Sequence, residues 1–147
     1  MALSANRDVD HYVDQEIRSV LVKGSVHVYK GAFVVIEESS GYAKPFVAGA
    51  SAGTANFFVG VAYEESDNSG GSDGDISVRV QTLGDFGHPI SGGTIADTGK
   101  KVYASADDTL SLSAATGNNV FVGRVQDWIT GTEFVIRLHG AADADAT

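Results

Sequence analysis

Ile76-Ser77-Val78-Arg79-Val80-Gln81-Thr82-Leu83 alternates apolar and polar side chains along its first six positions. Ile76, Val78 and Val80 fall on one face of an extended chain, and Ser77, Arg79 and Gln81 on the other. That period of two predicts a strand buried on one side only. The pattern returns near the end of the chain, where Phe134, Ile136 and Leu138 share one face and Val135, Arg137 and His139 the other. Val78-Arg79-Val80 is thus echoed by Ile136-Arg137-Leu138. Two further echoes keep the same order: Phe58-Val59-Gly60-Val61 by Phe121-Val122-Gly123-Arg124, and Val28-Tyr29 by Val102-Tyr103. The offsets shrink along the chain from 74 (103 − 29) through 63 (121 − 58) to 58 (137 − 79), which predicts longer loops in the first half. Ordered, strand-like echoes with unequal loops predict a duplicated β unit.

Other short apolar runs fill in the same picture. Ile17, Val20, Leu21 and Val22 start a strand; Val26–Tyr29 and Ala32–Ile36, joined at Lys30-Gly31, read as a tight hairpin or a bulge. A short strand is expected around Pro45-Phe46-Val47, a buried one over Asn56–Tyr63, and others at Lys101–Ala104, Leu110–Leu112 and Val120–Gln126. Glu64–Asp75 is the longest polar insertion and reads as an exposed loop. Gly84–Gly99 reads as a connection between halves. With Gly 18 and Pro 2, the chain is rich in the residue that tight turns need. The expected architecture is all-β: a single barrel- or sandwich-like domain over residues 15–140, built from two related units (about 20–84 and 85–140). A polar, extended N-terminal arm (1–14) precedes it and a loose tail (141–147) follows.

Composition narrows the function classes. At 147 residues, 43% hydrophobic and 20% charged, the chain can bury one sizeable core. Its formal net charge of −9 opposes the phosphate attraction that drives nonspecific nucleic-acid binding, and opposes anionic membranes as well. No nucleic-acid or membrane partner is expected, and the first residues lack the apolar stretch of a secretory signal. With Cys 0 there is no disulfide framework and no thiolate metal site.

Chemistry-bearing constellations are sparse. The histidines His11, His27, His88 and His139 have no ligand-type neighbour at metal-binding spacing. There is no nucleophile-elbow glycine–serine motif, so no hydrolytic triad is expected, and no cofactor or metal is assigned. Asp67-Asn68-Ser69-Gly70-Gly71-Ser72-Asp73-Gly74-Asp75 is the one stretch whose oxygens could wrap a calcium ion, although its glycines depart from the EF-hand pattern. That stretch motivates an alternative reading as a carbohydrate- or host-surface-binding β module. Trp128-Ile129 sits at the expected tip of the last hairpin; it suits an interface anchor, or a plug for the end of a barrel.

Tyr29-Lys30-Gly31-Ala32, Val59-Gly60-Val61-Ala62-Tyr63-Glu64, Asp67-Asn68-Ser69, Val78-Arg79-Val80, Val102-Tyr103-Ala104 and Val122-Gly123-Arg124-Val125, in that order over roughly residues 20–140, resemble the capsid decoration (cement) proteins of tailed bacteriophages. The resemblance implies a non-enzymatic, barrel-like structural protein that self-associates as a homotrimer and binds the major capsid protein. Such a protein is made in the host cytoplasm and sits on the outer surface of the virion. The interface residues expected under it are Tyr12, Ile17 and Arg18 on the arm side and Trp128 and Ile129 at the turn. The arm could reach at most ~48 Å if fully extended.

Overall fold

The computed structural model describes residues 2–9 and 16–138. Tyr12, His11, His139, the remaining arm positions from 10 to 14 and the 141–147 tail lie outside the described residues. Among the described residues eleven strands form in chain order: β1 (Glu16–Leu21), β2 (His27–Val28), β3 (Phe33–Glu37), β4 (Ala43–Pro45), β5 (Asn56–Ala62), β6 (Ser66–Asp67), β7 (Ser77–Pro89), β8 (Lys101–Ala106), β9 (Thr109–Ser111), β10 (Val120–Thr130) and β11 (Glu133–Leu138). The only α-helix among the described residues is one turn, α1 (Ala52–Ala55). The protein is all-β.

Nine strands make one antiparallel sheet in the order β4-β3-β5-β7-β11-β10-β8-β9, with β1 beside β7; β2 and β6 pair separately. The path is not closed into a barrel. Isolated bridges approach closure: Val22 meets Ala43 at one end of β4, and Val47 meets Ala106 at the other. The first junction is pinned by charge, because Glu37 sits 2.5 Å from Lys23 Nζ and 3.0 Å from Lys44 Nζ. These two ammonium groups, Lys23 first, hold the Glu37 carboxyl down at about 2. Its stabilising effect is therefore complete above the ordinary 4.5 and fades as pH falls toward 2.

The sheet order has the same sense read from either end. Hairpin β3–β4 corresponds to hairpin β8–β9, β5 to β10 and β7 to β11, with β7 and β11 meeting in the middle. Register sharpens the correspondence. Val34 opposes Gly60 and Val35 opposes Phe58, skipping Val59; Val102 opposes Gly123 and Tyr103 opposes Phe121, skipping Val122. The Phe-Val-Gly echo thus carries the same bulge in both halves. The Val28-Tyr29 echo is corrected, since Val34-Val35 holds the place of Val102-Tyr103. The Arg79–Arg137 echo shifts by two residues, because Val61 opposes Gln81 where Arg124 opposes Arg137.

Three other expectations change. Val26–Tyr29 and Ala32–Ile36 do not form a hairpin: a turn closes between Tyr29 O and Ala32 N (3.1 Å), and β2 leaves to pair with β6 while β3 joins the large sheet. Gly84–Pro89 is not a connection but the second half of β7, in register with β11 from Gly84↔Leu138 to Pro89↔Glu133. Glycine and proline weaken strand propensity there, and pairing with β11 overrides it. The Glu64–Asp75 insertion is not wholly exposed; Ser66 and Asn68 are buried.

The described residues pack into two apolar clusters. The larger holds Phe33, Val35, Phe58, Val61, Phe86, Val102, Val122, Phe134, Ile136 and their neighbours. The smaller holds Val22, Val28, Val34, Val59, Ala62, Val78 and Val80 under the β2–β6 pair. β3 and β5 are buried on both faces and separate the clusters. The bulge is what allows this on β5, where Phe58 and Val61, three residues apart, share one face and Val59 and Ala62 the other.

Gly60 lies at that bulge, where a Cβ would stand 1.9 Å from Gln81 O. Gly60→Ala should therefore cost about 1–3 kcal/mol of unfolding free energy in urea titration, as overpacking does. Gly49→Ala, where nothing lies within 4 Å, should leave the midpoint within error.

Candidate interface

Residues 2–9 of the expected arm are seated on the body. Leu3 N donates to Asp107 Oδ1 (2.9 Å), Arg7 N to Lys30 O (2.9 Å), and Lys30 N to Asn6 Oδ1 (3.0 Å); Asp8 pairs with Lys30 Nζ (2.8 Å). Leu3 packs on the smaller cluster and Val9 on the larger, so this segment laces both together.

Arg7 and His88, 81 residues apart, form the most buried polar contact of that segment, with Arg7 Nη1 2.7 Å from His88 Nε2. A guanidinium only donates, so Nε2 accepts and the ring proton is on Nδ1, which donates to Pro89 O (2.8 Å). The imidazole is therefore neutral with both nitrogens committed, and neither is free to act as a general base. Burial, then the Arg7 charge, lower its pKa from 6.5 to about 4. The guanidinium also lies over the Phe33 ring (5.2 Å), and its Nε and Nη2 have no hydrogen-bond partner among the described residues. Asp107 stands nearby, its carboxyl pushed up by burial. No pattern in the sequence signals this contact.

The Asp67–Asp75 loop is organised by an amide rather than by its acids. Buried Asn68 directs its amide nitrogen at Val22 O (3.2 Å), Lys23 O (3.0 Å) and Ser72 O (3.0 Å). The carboxylates turn to separate backbone N–H groups: Asp67 to Ser69, Asp73 to Gly24, Asp75 to Ser72. Among the described residues no three acidic or histidine side chains converge as a metal site would require. His27 stacks on Tyr29 (4.0 Å between ring centroids) and meets Glu65 at 2.6 Å, on the partly exposed face expected of it.

Trp128 and Ile129 lie near the end of β10, before the turn at Gly131. Trp128 opposes Phe134, is half-buried against the larger cluster and donates Nε1–H to Gly131 O (3.0 Å). The indole thus leans on the larger cluster, and Ile129, 46% exposed, is left as the more exposed apolar residue of the pair. Ile17 and Arg18 are on β1, exposed and on opposite faces, with β7 and β11 between that strand and the β10 that carries Trp128. Of the expected interface residues, Ile17 and Arg18 thus stand on one strand and Trp128 and Ile129 on another, while Tyr12 lies outside the described residues.

No protein-family model matches the chain, and no curated protein matches it.

His88 generates a pH dependence. A base whose pKa falls on folding binds fewer protons in the native state, so stability declines as pH drops from 6.5 toward 4. The decline attributable to this group should total at most about 3 kcal/mol. Asp107 acts in the opposite sense, because its raised pKa favours the folded state on acidification. His88→Gln should flatten the fall in unfolding free energy across this interval and leave the Asp107 component visible.

Proposed function

We propose that this protein is a structural virion component: a decoration protein that binds the outer face of a tailed-phage capsid and clamps neighbouring major capsid subunits. The reading is carried by one observation, the ordered set of decoration-protein-like motifs, four of which fall on strands of one large sheet in an all-β body. Val59–Glu64 runs along and out of β5, Val78-Arg79-Val80 along β7, Val102-Tyr103-Ala104 along β8 and Val122–Val125 along β10. In this reading the body is a barrel-like doubling of one β unit, works as a homotrimer and contributes adhesion rather than catalysis.

The physics suits that role. The acidic surplus keeps a protein made in many copies soluble before assembly. One modest contact is weak alone, but linking two or three within an oligomer multiplies their effect through effective concentration, by about 10² or more. Ile129 near the end of β10 is an exposed apolar group of the sort that anchors such contacts.

Purified protein mixed with expanded, undecorated heads of the phage that encodes it should co-sediment with them. Absence from the pellet with both expanded and unexpanded heads ends the proposal. Ile129→Asp should weaken the association about tenfold or more while leaving the thermal midpoint unchanged, since Ile129 is exposed.

A further inference from the structure

We propose that the row of cations Lys101, Arg124 and Arg137, on the outward face of β8, β10 and β11, docks the acidic segment around Glu65 and Asp67 of a second copy of this chain. The inference stands on register and charge and does not depend on the capsid reading.

The registers of three neighbouring strands set these cations side by side: Lys101 opposes Arg124, and Arg124 opposes Arg137. Directly opposed residues share a face. Phe121 opposite Tyr103 shares it too, because the bulge at Val122 keeps Phe121 and Arg124 on one side. The two rings meet edge to face, 5.8 Å between centroids. The other face of these strands sends Val102, Val122, Val125 and Ile136 into the larger cluster, so the cationic row points away from it. Like charges directly opposite one another cost stability. Asp85 offsets one of the three through its pairing with Arg137. Arg124 gives Nη1 to Gly99 O (3.1 Å) and meets no carboxylate among the described residues.

The first half shows what covers the equivalent face. By register its row is Phe33 opposite Val61 and Val61 opposite Gln81, and all three are fully buried. Phe33 and Val61 lie in the cluster shared with the second half. In the second half the same positions are cations that reach solvent. A face that is packed in one unit and charged in the other is fitted to an anionic cover. The chain itself supplies one, because five of its 19 acidic residues fall within Glu64–Asp75, a stretch without lysine or arginine. Ser66 is buried there, while Glu65 and Asp67 stand outward on one side, their side chains 43% and 52% exposed. They flank His27, so two carboxylates face one ring and the group stays negative even when that ring is charged. Two residues apart, they are set about 7 Å from each other, and three adjacent strands spread the cations over about 10 Å. Long side chains close that difference. At about 0.15 M salt screening reaches within about 8 Å, so this local match outweighs the repulsion between two acidic chains.

The two surfaces belong to different elements, so the contact is heterologous: each copy gives its cationic row to one neighbour and its acidic segment to another. Such contacts build rings or open chains, and a ring of three is the closed form that the capsid reading calls for. Exposed ion pairs are individually weak, so a single contact is weak in dilute solution and gains when ring closure holds each copy twice.

Complementation between variants tests this by analytical ultracentrifugation. The full chain at near-millimolar concentration and about 0.15 M salt should sediment as more than one copy. Arg124→Glu and Asp67→Lys should each sediment as a single chain, since each lacks one of the two faces. Mixed in equal amounts they should associate at least about tenfold more tightly than either alone, because the intact row of Asp67→Lys meets the intact acidic segment of Arg124→Glu. Asp67 is exposed and Arg124 partly so, and both variants should unfold at the parental midpoint. If Arg124→Glu lowers that midpoint, Arg124→Gln, which removes the charge without reversing it, takes its place in the same mixture. A mixture no more associated than its components, or a parental chain that stays single, overturns the proposal. Co-sedimentation with heads is a separate readout. Self-association without binding to heads ends only the capsid reading, and binding to heads without complementation ends only this one.

Discussion

The structure depends on one strand changing which cluster it faces. On the first half of β7, Val78 and Val80 enter the smaller apolar cluster while Gln81 points the opposite way, beside Val61 of the larger one. On the second half, Phe86 is in the larger cluster although it has the same parity as Val80. A regular strand cannot do this, since parity fixes the face. The reversal is made where β1 skips Thr82 and where Gly84 takes φ 112, a conformation that suits glycine. Fully buried Gln81 spans the irregularity, its amide directed at Leu83 O (3.3 Å) and Asp85 O (3.4 Å), so the disturbed backbone is not left without donors.

Everything on either side of that reversal follows from it. With β7 serving both clusters, β5 and β3 must be apolar on both faces. Their sequences comply: Phe33-Val34-Val35 and Phe58–Ala62 are near-continuous apolar runs rather than alternating ones. The β8–β10–β11 side borders only the larger cluster and therefore alternates. Phe134, Ile136 and Leu138 are buried, and Arg137 is exposed and paired with Asp85. The N-terminal segment closes the seam between the two clusters, and it brings there the buried Arg7 guanidinium, which donates to a neutral imidazole.

This explains what is legible in the sequence. Runs buried on one side announce themselves through period two, and Ser77–Gln81 and Phe134–Leu138 are readable for that reason. The Phe-Val-Gly echo is readable because both halves place the same bulge at it. Gly84–Pro89 is not, since its strand character comes from β11 and contradicts its own propensity. β2 and β6, two residues each, exist only because they cover Val28 and its neighbours. Arg7 and His88 carry no local pattern at all; their partnership is made by topology across 81 residues. In sequence Asn68 is one oxygen among many in a polar loop, whereas its nitrogen is what the fold uses.

The same contrast separates the two exposed surfaces. At the β10–β11 turn the apolar group is tied down: Trp128 is fastened to Gly131 and leans on the core, so Ile129 is presented by a rigid support. β1 is different in kind, because Ile17 and Leu21 stand exposed on a strand that β7 holds along one edge and β4 meets at its end, where Val22 bridges Ala43. One surface thus offers a single apolar group at a hairpin end and the other offers two along a strand, with β7 and β11 between them in the sheet order.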